Sequence, residues 1–256
     1  MPIFRFFKRK WLLRRPFPDE WQAVLNTRVP VYKKLPAELR EKLKERIVIL
    51  LDEKLFEGCG GLGMTDEIKV IISAYASILI LEETSDYYGD LQAILVYPDD
   101  YVAPVHHETE GGIVSEGYES RHGEYWGAGS IVLSWRDIER SLYSGRDEGN
   151  LIYHEFSHLL DDRYGLTAGI SDTGKPLRDD EWTRVFAKTY QKLVNTARFG
   201  KPSVLDSYGA KNPAELFSVA TEAFFETPVR LNRELPEVYA MLKSFYRLDP
   251  VSWPGF

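Results

Sequence analysis

His154, Glu155 and His158 carry the densest chemistry in the chain, as His154-Glu155-Phe156-Ser157-His158, an H-E-x-x-H pattern. The residues around it read as helix, and residues four apart on a helix share a face. Two imidazoles at that spacing can converge on one Zn²⁺, with the glutamate between them placed to take a proton from water. The chemistry this supports is metal-assisted hydrolysis. The competing reading is a helix with two ordinary histidines, and the intervening glutamate argues against it.

A catalytic zinc takes three protein ligands and keeps a further position open. Two histidines supply two. Downstream, the segment NPAELFSVATEAFF offers Glu215 and Glu222, seven residues apart and so on nearly one helical face. Acids on an apolar face are costly unless paired or bound to metal. Asn212-Pro213-Ala214-Glu215 also has capping-box spacing, in which Glu215 would be satisfied locally. Spacing alone leaves Glu215 and Glu222 with nearly equal claims to the third position. The remaining histidines, His106, His107 and His122, read as strand or surface residues, because neighbours on a strand point to opposite faces. Cys59, set among glycines, reads as a small buried residue in a tight turn. A structural zinc site would be closed by four ligands, mostly cysteine, and this chain has one cysteine.

The elements that must position these residues are mostly helical. Short helical pattern covers 18–26, and a longer stretch opens at Pro36 and runs toward Phe56 with Leu39, Leu43, Ile47 and Leu50 or Leu51 on one face. Thr65-Asp66-Glu67 starts a third helix, buried through Ile68, Ile71, Ile72, Tyr75, Ile78 and Leu79. Strand-like runs at 91–97, 101–106, 112–118 and 130–135 predict a small sheet of about four strands. Helical pattern returns at 148–163 with Gly165 as its C-cap, then at 179–198, from Asn212-Pro213 to before Pro228, and at 235–246. The fold class expected is α+β, mainly helical, with helices flanking a small mixed sheet. Residues 18–256 read as one domain. Residues 1–17 hold six cations and no acid, and read as a flexible or loosely docked basic tail; the sharper alternative is a basic-aromatic segment touching an anionic surface or a partner.

Composition bounds the rest. The 256 residues carry a formal net charge of −7, which argues against direct nucleic-acid binding. The longest apolar run, 70–81, is too short to span a bilayer, so no stable membrane insertion is expected. One cysteine and no signal-like segment point to a cytoplasmic protein.

Several longer stretches resemble the Mlc titration factor A family of bacterial zinc-dependent peptidases. They are PFPDEW at 16–21, FEGCGGLGMTDEIKV at 56–70, ILVYP at 94–98, VLSW at 132–135, HEFSHLLD at 154–161, SYGAKNPAELFSVATEAFFE at 207–226 and FYRLDP at 245–250. That family's site is in turn similar to the peptidase domain of anthrax lethal factor, and both place a tyrosine seven residues before the glutamate ligand. Here Tyr208 precedes Glu215 by seven. The resemblance therefore implies a zincin-type fold with one Zn²⁺ per chain held by His154, His158 and Glu215. Glu155 becomes the general base, Tyr208 an active-site tyrosine, and Glu222 a residue orienting a ligand histidine. It implies a peptide or aminoacyl amide substrate, aminopeptidase-like action ahead of broad endopeptidase action, and a role in bacterial sugar-uptake control. The alternative it leaves is a non-catalytic protein that sequesters a transcriptional repressor of the Mlc type.

Overall fold

Local sequence signals set most of the element boundaries. Asp19 and Glu20 sit in the first turn of α2 (Asp19–Arg28), which follows the basic helix α1 (Pro2–Leu12). Pro30 opens the short α3 (Pro30–Lys34), and α4 (Ala37–Glu53) follows Pro36. Thr65 caps α5 (Asp66–Ile78), its hydroxyl accepting from the Ile68 amide at 3.3 Å. The computed structural model describes residues 2–83, 87–99, 101–108, 114–121, 123–126, 129–143 and 149–256.

Strands β1 (Leu55–Gly58), β2 (Ala93–Tyr97), β3 (Tyr101–Glu108), β4 (Val114–Arg121), β5 (Gly123–Trp126) and β6 (Ser130–Ser134) form two sheets. The larger has the order β1-β2-β6-β5. Its first three strands are parallel, and β5 runs antiparallel to β6. β3 and β4 pair only with each other among the described residues, His106 opposite Glu116 and His107 opposite Ser115. A mixed sheet of four strands is thus present, with a different membership from the one expected. The runs at 101–106 and 112–118 form the separate hairpin, while β1 and β5 complete the sheet. Gly112 and Ile113, at the start of the second run, and His122 lie outside the described residues.

β1 corrects the expectation that the fourth helix continues to Phe56. The helix stops at Glu53, and the chain turns into a strand in register with β2, Leu55 opposite Ala93. Four residues cannot announce a parallel edge strand by periodicity, because its pairing is entirely non-local. Cys59, just beyond it, is half-buried, and its amide donates to the Val96 carbonyl at 2.8 Å.

After the sheet come α6 (Trp135–Tyr143), α7 (Leu151–Tyr164), α8 (Glu181–Arg198), a 3₁₀ turn (Ser207–Ala210), α9 (Pro213–Glu226), α10 (Pro228–Glu234) and α11 (Pro236–Tyr246). The helix α5 is buried along almost its whole length and packs on α2, α4 and α7. An aromatic cluster binds the helices at the centre. Tyr153 of α7 stacks on Phe225 of α9 at 5.1 Å between ring centroids and meets Tyr75 of α5 edge-on at 5.2 Å. α7 also lies against β5 and β6. Among the described residues, no helix is long and apolar enough to cross a membrane.

Within the basic N-terminal segment, residues 2–12 form α1, which lies against α4. The carboxylate of Glu53, at the end of α4, accepts from Arg9 Nε and Nη2 at 2.7 and 2.9 Å, and Lys8 Nζ lies 2.6 Å from Asp52 Oδ2. Acids at a helix C-terminus face the unfavourable end of its dipole, and cations laid across them offset that cost.

Candidate metal centre

The site is built where α7 and α9 pack side by side, and the pairings along them fix the direction. Asn150 meets Glu226, His154 meets Glu222 and then Glu215, and His158 meets Glu215. The two helices therefore run antiparallel. Ser157 and Ser218 lie between them as fully buried small residues with their hydroxyl oxygens 2.7 Å apart, and Ser157 donates to the His154 carbonyl, also at 2.7 Å. Two small side chains at this crossing let the helices approach closely enough for a carboxylate on one to reach an imidazole on the other.

Both helix starts are pinned by side chains. Asn150 caps α7, accepting from the Tyr153 amide at 3.1 Å, and Gly165 ends the helix in left-handed conformation with its amide on the Asp161 carbonyl. Asn212 caps α9 in the same way, accepting from the Glu215 amide at 2.9 Å, with Pro213 in the first turn. The reciprocal half of a capping box would turn the Glu215 carboxylate back toward the Asn212 amide. It crosses instead to the histidines: Oε2 lies 2.8 Å from His154 Nε2 and 3.5 Å from His158 Nε2. His154, His158 and Glu215 each offer one ligand atom, and those atoms all lie within 4.8 Å of one another. Two nitrogens and one carboxylate oxygen fit the donor set of a divalent metal with an open position.

Glu222 occupies the other side of the same imidazole. Its Oε1 lies 2.7 Å from His154 Nδ1, and its Oε2 accepts from the Asn150 amide at 2.6 Å. With a metal bound, a proton kept on Nδ1 by that carboxylate would leave Nε2 free to face the metal position. Sequence spacing had placed both acids on one face; the structure puts one on each nitrogen of His154.

Electrostatics follow from this packing. Burial opposes protonation of His154, but the Glu215 and Glu222 carboxylates outweigh it and raise the pKa of the imidazole well above its ordinary value. Burial likewise disfavours ionised Glu215, yet hydrogen bonds from His154 and His158 prevail and bring its carboxyl down to about 2. Burial raises the pKa of Glu155, only partly opposed by the two histidines. Tyr208 stands on the 3₁₀ turn before α9, at the mouth of the site. Its ring meets His154 edge-on at 5.7 Å, and Lys211 Nζ lies 3.7 Å from its centroid. Asp206 fixes that turn by accepting from the Tyr208 amide at 2.7 Å.

Asn150, Ser157, Ser218 and Gly149 are site residues that sequence reasoning passed over. Asn150 was legible as an N-cap one turn before His154. Gly149 was not. It has φ +69°, and a Cβ there would overlap Glu222 Oε2. Gly149→Ala is therefore expected to cost about 1–3 kcal/mol in denaturant unfolding. It should also weaken metal binding, because Glu222 must move. Unchanged stability and metal affinity would show that the loop absorbs the methyl.

The chain has a mainly helical α+β fold in which a His–Glu–His helix packs on a glutamate-bearing helix, and the family it matches is one of metallopeptidases. The chain belongs to the family described as glucose-regulated metallo-peptidase M90, which matches residues 4–247. It is 38% identical to an uncharacterised protein of Synechocystis sp. over 251 residues, covering 98% of this chain and 91% of that one. It is also 28% identical over 254 residues to Mlc titration factor A of Yersinia enterocolitica, covering 95% of this chain and 92% of that one. For Mlc titration factor A of Yersinia pestis the identity is 29%, with 95% and 91% covered.

Proposed function

We propose that the protein is a zinc-dependent peptidase acting on peptide or aminoacyl amide bonds, with one Zn²⁺ per chain held by His154, His158 and Glu215. The observation that carries this reading is the convergence of Glu215 Oε2 on both histidine Nε2 atoms, at 2.8 and 3.5 Å. His154, His158 and Glu215 would hold a divalent ion there, which would supply Lewis acidity and a water activated toward a pKa of about 7. Glu155, on the same helix turn and raised in pKa by burial, is the group that would hold the proton of the attacking water and pass it to the leaving amine. The Tyr208 hydroxyl donates to the oxyanion that develops on the scissile carbonyl, a contribution of about 3–4 kcal/mol for a well-placed donor. Glu222 acts through His154, holding its ring in the orientation the site needs. Aminopeptidase-like action is taken ahead of broad endopeptidase action, as the family resemblance implies.

The test is metal content with hydrolysis of chromogenic aminoacyl amides, before and after chelation. One zinc per chain, loss of activity on chelation and recovery with added zinc are expected. Activity that survives removal of the metal overturns the reading.

A second reading draws on the name Mlc titration factor A carried by relatives. In it the chain binds a transcriptional repressor of the Mlc type in the cytoplasm and so acts on sugar-uptake control. Capture of such a repressor by a Glu155→Gln variant as efficiently as by the wild type would separate binding from catalysis. Absence of capture by the wild type would remove this second reading.

A further inference from the structure

The helix α1 lays two different faces to its two sides. Arg5, Lys8 and Arg9 turn toward α4 and are held by Asp52 and Glu53. Arg9 also lies over the Tyr87 ring, 4.1 Å from its centroid. Beside that face the helix carries large aromatic residues that stay exposed. Phe4 is 76% exposed, Phe7 62%, Trp11 52% and Phe6 54%. Phe4, Phe7 and Trp11 follow each other at three and four residues, so they form one stripe along the helix. Lys10, Arg14 and Arg15 flank it, all exposed. Lys10 leans on the Phe6 ring at 4.6 Å and Arg15 on the Trp11 ring at 3.9 Å.

An isolated exposed aromatic residue is ordinary, but a contiguous stripe of them is a contact surface. The flanking charge selects the occupant. The chain is net −7, yet residues 1–17 hold six cations and no acid. Three of those cations are used to fix the helix on the domain, and three are left around the aromatic stripe. Aromatic side chains bordered by Lys and Arg on a short helix of low overall hydrophobicity match a helix that lies in the headgroup region of an anionic bilayer. The geometry points to α1 as an interfacial helix that docks this protein on an anionic lipid surface through Phe4, Phe7 and Trp11, with Lys10, Arg14 and Arg15 on the headgroups. The helix is about 16 Å long and lies on the surface without crossing it. This inference is independent of the peptidase reading, since no residue of the metal centre takes part.

Co-sedimentation of the full-length protein with vesicles tests it. Binding to vesicles of mixed phosphatidylcholine and phosphatidylglycerol is expected, with none to phosphatidylcholine alone. Most binding should be lost in about 0.5 M salt, where the Debye length falls to a few ångströms. Each basic residue at an anionic surface is worth roughly fivefold in partitioning. The Lys10→Glu, Arg14→Glu, Arg15→Glu variant should therefore bind at least about a hundredfold more weakly, since three cations are removed and three anions added. The Phe4→Ala, Phe7→Ala, Trp11→Ala variant should fall to background. Both sets of residues are exposed, so circular dichroism and thermal midpoints should match the wild type. Wild-type protein left in solution with anionic vesicles at low salt overturns the proposal. So does vesicle binding by the aromatic variant at the wild-type level. A dimer that dissociates in the aromatic variant, without vesicle binding by the wild type, would assign the stripe to a second copy of this chain and also overturn it.

Discussion

Glu155→Gln is expected to keep its metal and lose kcat/KM by about 10²–10⁴, the usual share of a positioned acid–base group. That loss corresponds to about 3–5 kcal/mol of transition-state stabilisation. The substitution keeps the shape of the side chain and removes only its capacity to hold and release a proton. Glu155 is buried beside the two histidines and is not itself within the cluster of ligand atoms, so metal content should stay at the wild-type level. Its raised pKa also favours this role, because a base nearer the working pH passes the proton on more readily. Folding should not suffer, since a neutral amide is less costly than a carboxylate in a buried position. Metal titration and steady-state kinetics on the same preparation check both halves. A fully active variant would remove Glu155 from the mechanism.

Loss of the third ligand should cost far more metal affinity than loss of the carboxylate behind His154. Glu215→Ala removes an oxygen that faces both histidine Nε2 atoms, at 2.8 and 3.5 Å. Glu222→Gln leaves all three donors in place and alters only what holds His154 Nδ1 and the Asn150 amide. Outer partners of metal-bound histidines typically contribute about 10–100-fold in affinity or activity. Glu222→Gln is expected within that range, and Glu215→Ala beyond its upper end. Competition with a chromophoric chelator measures both. Equal losses in the two variants would mean that the two glutamates share the metal, against the assignment made here. The pairing also has a stability consequence in the metal-free protein. The folded pKa of Glu215, about 2, lies below its ordinary value of 4.5, so its stabilisation is present above pH 4.5 and fades as pH falls toward 2.

Much of this site was readable one residue at a time. The H-E-x-x-H spacing needs only a helix to bring His154 and His158 to one face, and α7 ends at Gly165 as its sequence says. The Asn212-Pro213 start of α9 was equally plain. What escaped were features whose signal is carried by another part of the chain. β1 is four residues long and exists because β2 lies beside it. The run at 101–106 looked like a member of the main sheet, but alternation cannot say which strand is the neighbour, and it pairs with β4. Gly149 reads as a loop glycine until Glu222 is seen against it.

The two glutamates show where that boundary falls. The sequence by itself determined that His154 and His158 share a helical face with Glu155 between them, and that Glu215 and Glu222 share another. A seven-residue spacing on one helix is symmetric with respect to an unseen ligand, so it could not rank the two acids. Tertiary packing removed the symmetry. α7 runs antiparallel to α9, with Ser157 and Ser218 at the close contact, so His154 falls between the two carboxylates and, of the two, His158 meets Glu215. One acid therefore faces the nitrogens that converge, and the other holds the far side of the ring. That distinction depends on the direction and distance of a second helix, which local periodicity does not encode.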